Sequence, residues 1–322
     1  GTSYSLCCSR RGEVLWSASV RSAVVLLGGN SAFSAAACED GTLHVFTVAG
    51  RRALPPMVAC EAPVALHADR SSSLIILGAD GELRVWSGLP LAPTCSLCCS
   101  AAPILSSDDD PPQLSLLPDL APLLVNSAGA FVYRESLRAW LSLGDETFKG
   151  SVYASSFTQR STPKEIEQQP LSSLQQQQRR QRQSAPAAAA AAALNLAALS
   201  PKGQYELTLA HIEHQMASAL ALQSATEYRH WLKLYALNLS QQQAVRKVRE
   251  LCDELLGPLV AQDADVHGAE ISSASRPGAT AWQPQLLGFN KRQLLRETVL
   301  PALATNRALQ LILAEYLEML ET

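Results

Sequence analysis

Two Asp-Gly hairpin signals set 40 residues apart constrain this chain more than any other feature. The first lies in Ala37-Cys38-Glu39-Asp40-Gly41-Thr42-Leu43-His44-Val45-Phe46, the second in Leu77-Gly78-Ala79-Asp80-Gly81-Glu82-Leu83-Arg84-Val85-Trp86. A looser copy is Asn126-Ser127-Ala128-Gly129-Ala130-Phe131-Val132-Tyr133, and a partial one is Arg11-Gly12-Glu13-Val14-Leu15-Trp16. Asp-Gly supplies the positive-φ positions of a tight primed turn. Alternation of Leu43 and Val45 with Thr42 and His44 has the period of a strand. Apolar runs at Ala23–Leu27, Leu74–Leu77 and Ala121–Val125 are expected to supply the buried partner strands.

Short strands repeating every ~40 residues and ending in an aromatic are the signature of propeller blades. Residues 1–150 then hold at most about four blades, the low end for a closed ring. An incomplete ring leaves unpaired edges that another element or another copy must cover. Self-association is therefore expected. An antiparallel β-sandwich with coincident Asp-Gly turns is the competing architecture.

Residues 159–203 are of low complexity: Gln175–Gln178, then Arg179, Arg180 and Arg182, then the alanines Ala187 to Ala193. Such composition buries too little apolar surface to order itself, beyond a transient alanine helix. This predicts a passive spacer whose deletion from Gln175 to Ala193 leaves assembly unchanged. The arginines read as a solvated linker, with an import signal or a phosphate contact as the other options.

From Gln204 the apolar period becomes helical. Leu209, Ile212, Met216, Ala219 and Leu220 share one face, and Ser224 with Glu227 forms a capping-box signature. Tyr228, Trp231, Leu232, Tyr235 and Leu239 make a second stripe. Val245, Val248, Cys252 and Leu255 make a third, stopped by Gly257-Pro258. After a polar loop, Ala261 to Pro284, Asn290 is placed to cap a helix bearing Leu294, Leu295 and Val299. Pro301 then opens or kinks a last one with Leu309, Ile312, Leu313, Tyr316, Leu317 and Leu320. The expected fold is α+β: WD-repeat-like antiparallel hairpins forming an incomplete propeller (1–150), a Gln/Arg/Ala linker (151–203) and an antiparallel helical bundle (204–322).

Charge adds an exclusion. Residues 1–150 carry 10 basic against 14 acidic side chains, residues 204–322 carry 10 against 13, and the net charge is −3. That leaves no general basic field for wrapping nucleic acid. The apolar fraction of 47% permits a sizeable core. The eight cysteines sit in a long chain without a secretory leader, which favours a reducing compartment. Gly1 at the start reads as a fragment of something longer. The alanine-rich uncharged run Gln183–Pro201 is broken by prolines and too weakly apolar to span a bilayer, so no membrane segment is assigned.

Chemistry is sparse. His211 and His214 are three apart, whereas a zincin needs two histidines four apart on one helix face. Cys95, Cys98 and Cys99, with Cys7 and Cys8, are the only set from which a thiolate zinc site is conceivable, against reduced cysteines packed in strands. Asp108-Asp109-Asp110 lacks the alternating spacing of a calcium loop. No catalytic residue, cofactor or metal ligand is assigned.

Several strings nevertheless carry a resemblance. Thr208-Leu209-Ala210-His211-Ile212-Glu213-His214-Gln215, Leu220-Ala221-Leu222-Gln223-Ser224, Glu227-Tyr228-Arg229-His230-Trp231-Leu232 and the run Arg249 to Pro258 resemble the C-terminal region of the HIRA family of histone chaperones. So do Gly28 to Phe33, Glu39 to Phe46, Ala49 to Pro56, and Gly288 to Leu320 with Lys291-Arg292-Gln293-Leu294-Leu295-Arg296-Glu297. The resemblance implies a non-enzymatic nuclear scaffold supporting replication-independent nucleosome assembly and transcriptional regulation, repression included. It implies a homotrimer that holds a calcineurin-binding-protein-like scaffold subunit and meets histones through the wider complex, with neither membrane nor sequence-specific nucleic acid as partner. The family's N-terminal propeller is not evident here, and its Trp-Asp after the second hairpin is Trp86-Ser87 in this chain. Trp86 is the candidate interface residue, with a blade-core role as the alternative. A coat or trafficking scaffold and a metal-dependent hydrolase are the other functional readings.

Overall fold

The computed structural model describes residues 3–70, 72–105, 111–144, 148, 151, 153, 169–182, 200–258 and 282–321. Asp108–Asp110, Ala187–Ala193 and nearly all of the 261–284 loop lie outside them. Two compact units emerge, one of Gly1–Gly144 with Leu174–Ala185 and one of Asp145–Ser173 with Pro186–Thr322.

The first unit is a stack of antiparallel sheets. A hairpin of β1 (Tyr4–Arg10) and β2 (Glu13–Val20) precedes three four-stranded meanders. These are β3 (Val24–Gly29), β4 (Phe33–Cys38), β5 (Thr42–Thr47) and β6 (Met57–Val58); then β7 (Pro63–Ala68), β8 (Leu74–Gly78), β9 (Glu82–Ser87) and β10 (Thr94–Ser100); then β11 (Gln113–Leu116), β12 (Pro122–Val125), β13 (Ala130–Arg134) and β14 (Ala139–Ser142). Four-stranded blades following one another are the expected element. Separate stacked sheets, with no closed barrel, replace the two facing sheets of a sandwich.

Three apolar layers hold the stack. Val20, Ala36, Cys38 and Phe46 join the hairpin to the first sheet, helped by Trp16. Phe33, Leu43 and Val45 meet Leu74, Ile76 and Trp86 between the first and second sheets. Ile75, Leu77, Leu83 and Val85 meet Leu114 and Leu124 between the second and third. Inner strands therefore bury both faces, and His44 is only 6% exposed instead of facing water as the alternation predicts. The first buried strand is also not Ala23–Leu27. β3 is an edge strand whose Val25 and Leu27 are exposed, and the alanine-rich β4 fills the inner place.

The Asp-Gly turns differ from expectation in one respect. Gly41 and Gly81 have φ of 78° and 80°, but Asp40 and Asp80 are not left-handed. The Gly41 N–H bonds Cys38 O at 2.9 Å, and the Gly81 N–H bonds Gly78 O at 3.0 Å. Each is a three-residue loop with a left-handed glycine at the bulge position. Each aspartate accepts from the backbone two residues on, Asp40 from Thr42 and Asp80 from Glu82. The glycine is required for a second reason. The chain leading to the next sheet crosses it, with the Ala59 N–H on Gly41 O and the Ala101 N–H on Gly81 O. A Cβ on Gly41 would stand 1.8 Å from Cys60 O. A two-residue turn with both φ positive occurs in the partial copy, at Arg11-Gly12.

In the second unit Ser200 accepts the Gly203 N–H and Pro201 occupies the first turn, so the first long helix begins before Gln204. Helix α1 (Pro170–Arg182) starts in the second unit and from Leu174 onward is counted with the first; α2 (Pro201–Ala221), α3 (Ala225–Gln241) and α4 (Val245–Leu256) belong to the second. A small hairpin, β15 (Gln285–Leu286) with β16 (Phe289–Asn290), leads into α5 (Lys291–Leu294), whose Arg292 and Gln293 N–H groups are capped by Asn290 as expected. A π-turn over Leu295–Val299 links α5 to α6 (Leu300–Leu303). Pro301 sits in that continuation and does not open the last helix. A proline has no N–H to give four residues back, and the π-turn just before it absorbs the mismatch. The last helix, α7 (Gln310–Glu321), follows a 3-10 turn capped by Asn306.

Helix α1 falls in the stretch read as a passive spacer. Its residues Leu171, Ser172, Leu174 and Gln175 are buried. Its start is set by Glu227, fully buried on α3, which accepts the Leu171 N–H at 3.1 Å, the Ser172 N–H at 2.9 Å and the Ser172 hydroxyl at 2.9 Å. Glu227 thus caps another helix instead of closing a box with Ser224, whose side chain makes no cap bond. Its carboxylate satisfies donors that α1 leaves open at its N-terminus. Deletion from Gln175 onward removes part of this ordered element.

Helices α4 and α7 are tied by Arg249, which donates to Glu315 at 3.1 and 2.8 Å. Those bonds hold the Glu315 carboxyl below its usual range. A depressed carboxylate stabilises the fold above its unfolded pKa, about 4.3, and loses that contribution as pH falls through the folded value. A Glu315→Gln variant and the parent should therefore differ in urea midpoint at neutral pH and converge in acid. Glu227→Gln, which replaces one of the two buried acceptor oxygens by an amide donor facing either the Leu171 N–H or the Ser172 N–H and hydroxyl, should cost about 1–3 kcal/mol in urea unfolding. It should also speed amide exchange at Leu171 and Ser172.

Candidate functional site

Trp86 is the penultimate residue of β9, paired with Leu74 on β8 and Cys95 on β10. Its side chain is 8% exposed and lies in the layer between the first two sheets, with Leu74, Ile76 and Leu89. Ser87, where the family pattern has aspartate, has its hydroxyl 2.6 Å from that of Ser96. Beyond it the chain turns at Gly88 (φ 77°), with the Ala92 N–H on Gly88 O, and presents Leu91 at 84% exposure. Leu137, in the matching connection of the third sheet, is 62% exposed, and Val48, just after β5 in the first, also 62%. The connection from third to fourth strand thus carries an exposed aliphatic in all three sheets. Trp86 underpins one such tip from inside.

The cysteines do not assemble. Cys7 and Cys8 lie on β1 of the end hairpin, and Cys95, Cys98 and Cys99 on β10, an edge of the second sheet. Among the described residues, no three His, Cys, Asp or Glu side chains form a group able to hold a metal. The Cys98 thiol donates to Glu82 Oε1 at 3.1 Å, and that bond is the main reason its pKa rises. Burial pushes the Cys99 thiol up to about 12. Both are held as thiols, away from the ionised form a metal or nucleophilic reaction needs.

His211 and His214 belong to an aromatic cluster in the second unit. Each ring centroid lies 5.4 Å from that of Phe148, and His211 is edge-on to Trp231 at 5.5 Å. His211 Nδ1 meets the Ser151 hydroxyl at 2.9 Å. These are packing histidines.

A polar cavity of about 1000 Å³ that the sequence did not suggest is lined by Ser19, Arg21, Asp40, Thr42, His44 and Arg52. Arg52 Nη1 donates to His44 Nδ1 at 2.8 Å, so the ring proton sits on Nε2. Burial first, and Arg52 second, lower the His44 pKa, keeping it neutral. Asp40 is held low chiefly by the Thr42 hydroxyl at 2.6 Å. His44 is thus engaged with Arg52, and Asp40 with Thr42. His44 was hidden at the sequence level because its alternating position matches that of a solvent-facing residue. Among the described residues no helix is long and apolar enough to cross a membrane.

As a core residue, Trp86 should cost about 3–5 kcal/mol on replacement by alanine, whereas Leu91→Ser should stay within about 0.5 kcal/mol of the parent. Urea denaturation of both variants measures this, and a Trp86→Ala cost under about 1 kcal/mol would remove Trp86 from the core.

The protein-family model described as "Hira: TUP1-like enhancer of split" matches residues 50–255. Protein HIRA of Oryza sativa subsp. japonica is 32% identical over 324 residues, covering 97% of this chain and 31% of its own length. Protein HIRA of Zea mays is 33% identical over 97% of this chain and 31% of its own, and that of Homo sapiens 30% identical over 98% and 28%. The chain thus spans less than a third of the length of these relatives. Among solved structures, "Crystal structure of HIRA(644-1017)" aligns with a TM-score of 0.61 and 27% identity, covering 97% of this chain and 86% of that one. The expected resemblance, the stacked antiparallel sheets and the helices that follow them all converge: this chain belongs to the Hira family.

Proposed function

We propose that this chain is a non-enzymatic, self-associating scaffold of a nuclear histone-chaperone assembly that supports replication-independent nucleosome assembly and transcriptional repression. The observation that carries this is the extent of the match. One solved HIRA fragment aligns with 97% of the chain, so sheets and helices belong to a single inherited unit.

The physical features fit a scaffold. The end hairpin exposes Tyr4, Val14 and Leu15, and the three connections expose Val48, Leu91 and Leu137. Exposed aliphatic side chains of this kind suit contact with neighbours. Self-association, as a trimer, covers them. Linking several copies raises the effective concentration of histone-carrying arms at one chromatin site without any new contact. A calcineurin-binding-protein-like subunit is the proposed second partner. Trp86 contributes to the self-association surface from beneath, by fixing the Leu91 tip.

Sedimentation equilibrium at micromolar concentration should show an oligomer. Leu91→Ser combined with Leu137→Ser should weaken it while leaving the urea midpoint in place. A purely monomeric parent overturns the scaffold mechanism. Pull-downs with histones and with the candidate scaffold subunit then separate direct from indirect histone contact.

A further inference from the structure

The second unit carries a groove unrelated to the sheet edges. Helices α2, α3 and α4 enclose a cleft of about 420 Å³, within the range of about 300–1,000 Å³ usual for binding clefts. Its apolar lining comes from Met216 and Leu220 of α2, Tyr228 of α3, and Leu251 and Leu255 of α4. Leu220 is 42% exposed, a large aliphatic left uncovered at the mouth.

The rim has one dominant sign. Glu213, Glu250 and Glu254 line it, and Lys247 is the only cation among the lining residues. Lys247 is already engaged, with Nζ 2.7 Å from Glu213 Oε1. The Tyr235 hydroxyl donates to the same carboxylate oxygen at 3.2 Å. Glu250 and Glu254 are exposed, stand one turn apart on α4, and have no cation partner among the described residues. Glu254 adds to the burial that pushes the Tyr228 hydroxyl up to about 12, which places that carboxylate at the cleft wall.

An apolar floor beneath two unneutralised carboxylates selects its occupant by charge. An anionic or purely apolar segment would leave Glu250 and Glu254 facing a low-dielectric contact without a counter-charge, a costly arrangement. Lys or Arg residues flanking aliphatic anchors satisfy both layers. Carboxylates at i and i+4 match basic side chains one helical turn apart. We propose that this groove docks a short amphipathic helix of a partner protein, two aliphatic side chains seated on Met216, Leu220 and Leu251 and flanking Lys or Arg paired with Glu250 and Glu254. Helix-in-groove recognition of this kind reads anchors at i, i+3 or i+4, and i+7. The groove works in this way whatever cargo the assembly carries.

The test uses the full chain with methyl-labelled methionine, of which there are three, with the Met216 signal assigned through Met216→Leu. The probe is a synthetic Leu/Lys amphipathic helix of about 16 residues, some four turns, with its Leu/Glu counterpart as control. Expected results are a shift of the Met216 methyl but not that of Met57, no binding of the Leu/Glu helix, and about tenfold or greater weakening in the double variant Glu250→Lys, Glu254→Lys. Leu220→Ser should weaken binding independently, and both variants change exposed residues, so circular dichroism should match the parent. No binding of the Leu/Lys helix, binding that leaves Met216 unmoved, or affinity in both variants equal to the parent's overturns the proposal. So does loss of the sedimenting oligomer in the double variant, which would assign the groove to contacts between copies.

Discussion

Two-sided burial of short sheets governs the first unit. A four-stranded meander with apolar residues on both faces is not a stable object alone, since each face must be removed from water at roughly 25 cal/mol per Å². Leu74 and Ile76 face one layer while Ile75 and Leu77 face the next, each at most 1% exposed. Each sheet is thus the lid of its neighbour, and the stack holds only as a series. Among the described residues the end hairpin packs on the first sheet, and Val14 and Leu15 stay exposed. The same rule that builds the interior generates the surface that a scaffold can use.

In the helical unit the matching constraint is the satisfaction of helix ends. Glu227, wholly buried, has its carboxylate occupied by the start of α1. Asn290 and Asn306 do the same for the short helical turns near the C-terminal end. Donors at a helix start must be met by something when water is excluded. The two asparagines cap locally, whereas at α1 the acceptor is a side chain distant in sequence, and this draws the start of a glutamine-rich stretch into ordered structure.

How much of this could be read from the sequence follows from what each signal depends on. Asp40-Gly41 and Asp80-Gly81 announced hairpins because turn chemistry is local. The type of turn was not legible, because the chain crossing over Gly41 and Gly81 is a tertiary fact. Phe33–Cys38 was passed over because Ala35, Ala36 and Ala37 are weakly apolar, yet small side chains are what an inner strand crowded on both faces accepts. Helix ends at Gly257 and Asn290 were visible. Those at Gln223 and Gln243, left-handed residues with φ of 55° and 52°, were not, since glutamine carries no stop signal. Trp86 was read as a candidate interface residue with a blade-core role as the alternative, and the string could not choose between them; its side chain lies in the layer between the first two sheets. The groove on α2, α3 and α4 was missed because its residues were read as stripes facing inward, and a stripe does not reveal where the packing stops.

The two-sided pattern of β8 has a further consequence for folding accuracy. In a strand with one wet face, sliding by a single residue throws every apolar side chain into solvent, and that penalty fixes the pairing. In β8 the same slide merely exchanges Leu74 and Ile76 for Ile75 and Leu77, one aliphatic set for another. Hydrophobicity is therefore almost blind to the error. Alignment must be enforced from the ends, by the left-handed glycine at position 81 and the backbone that crosses it. In this stack the turns, more than the core, hold the information that keeps the strands in step.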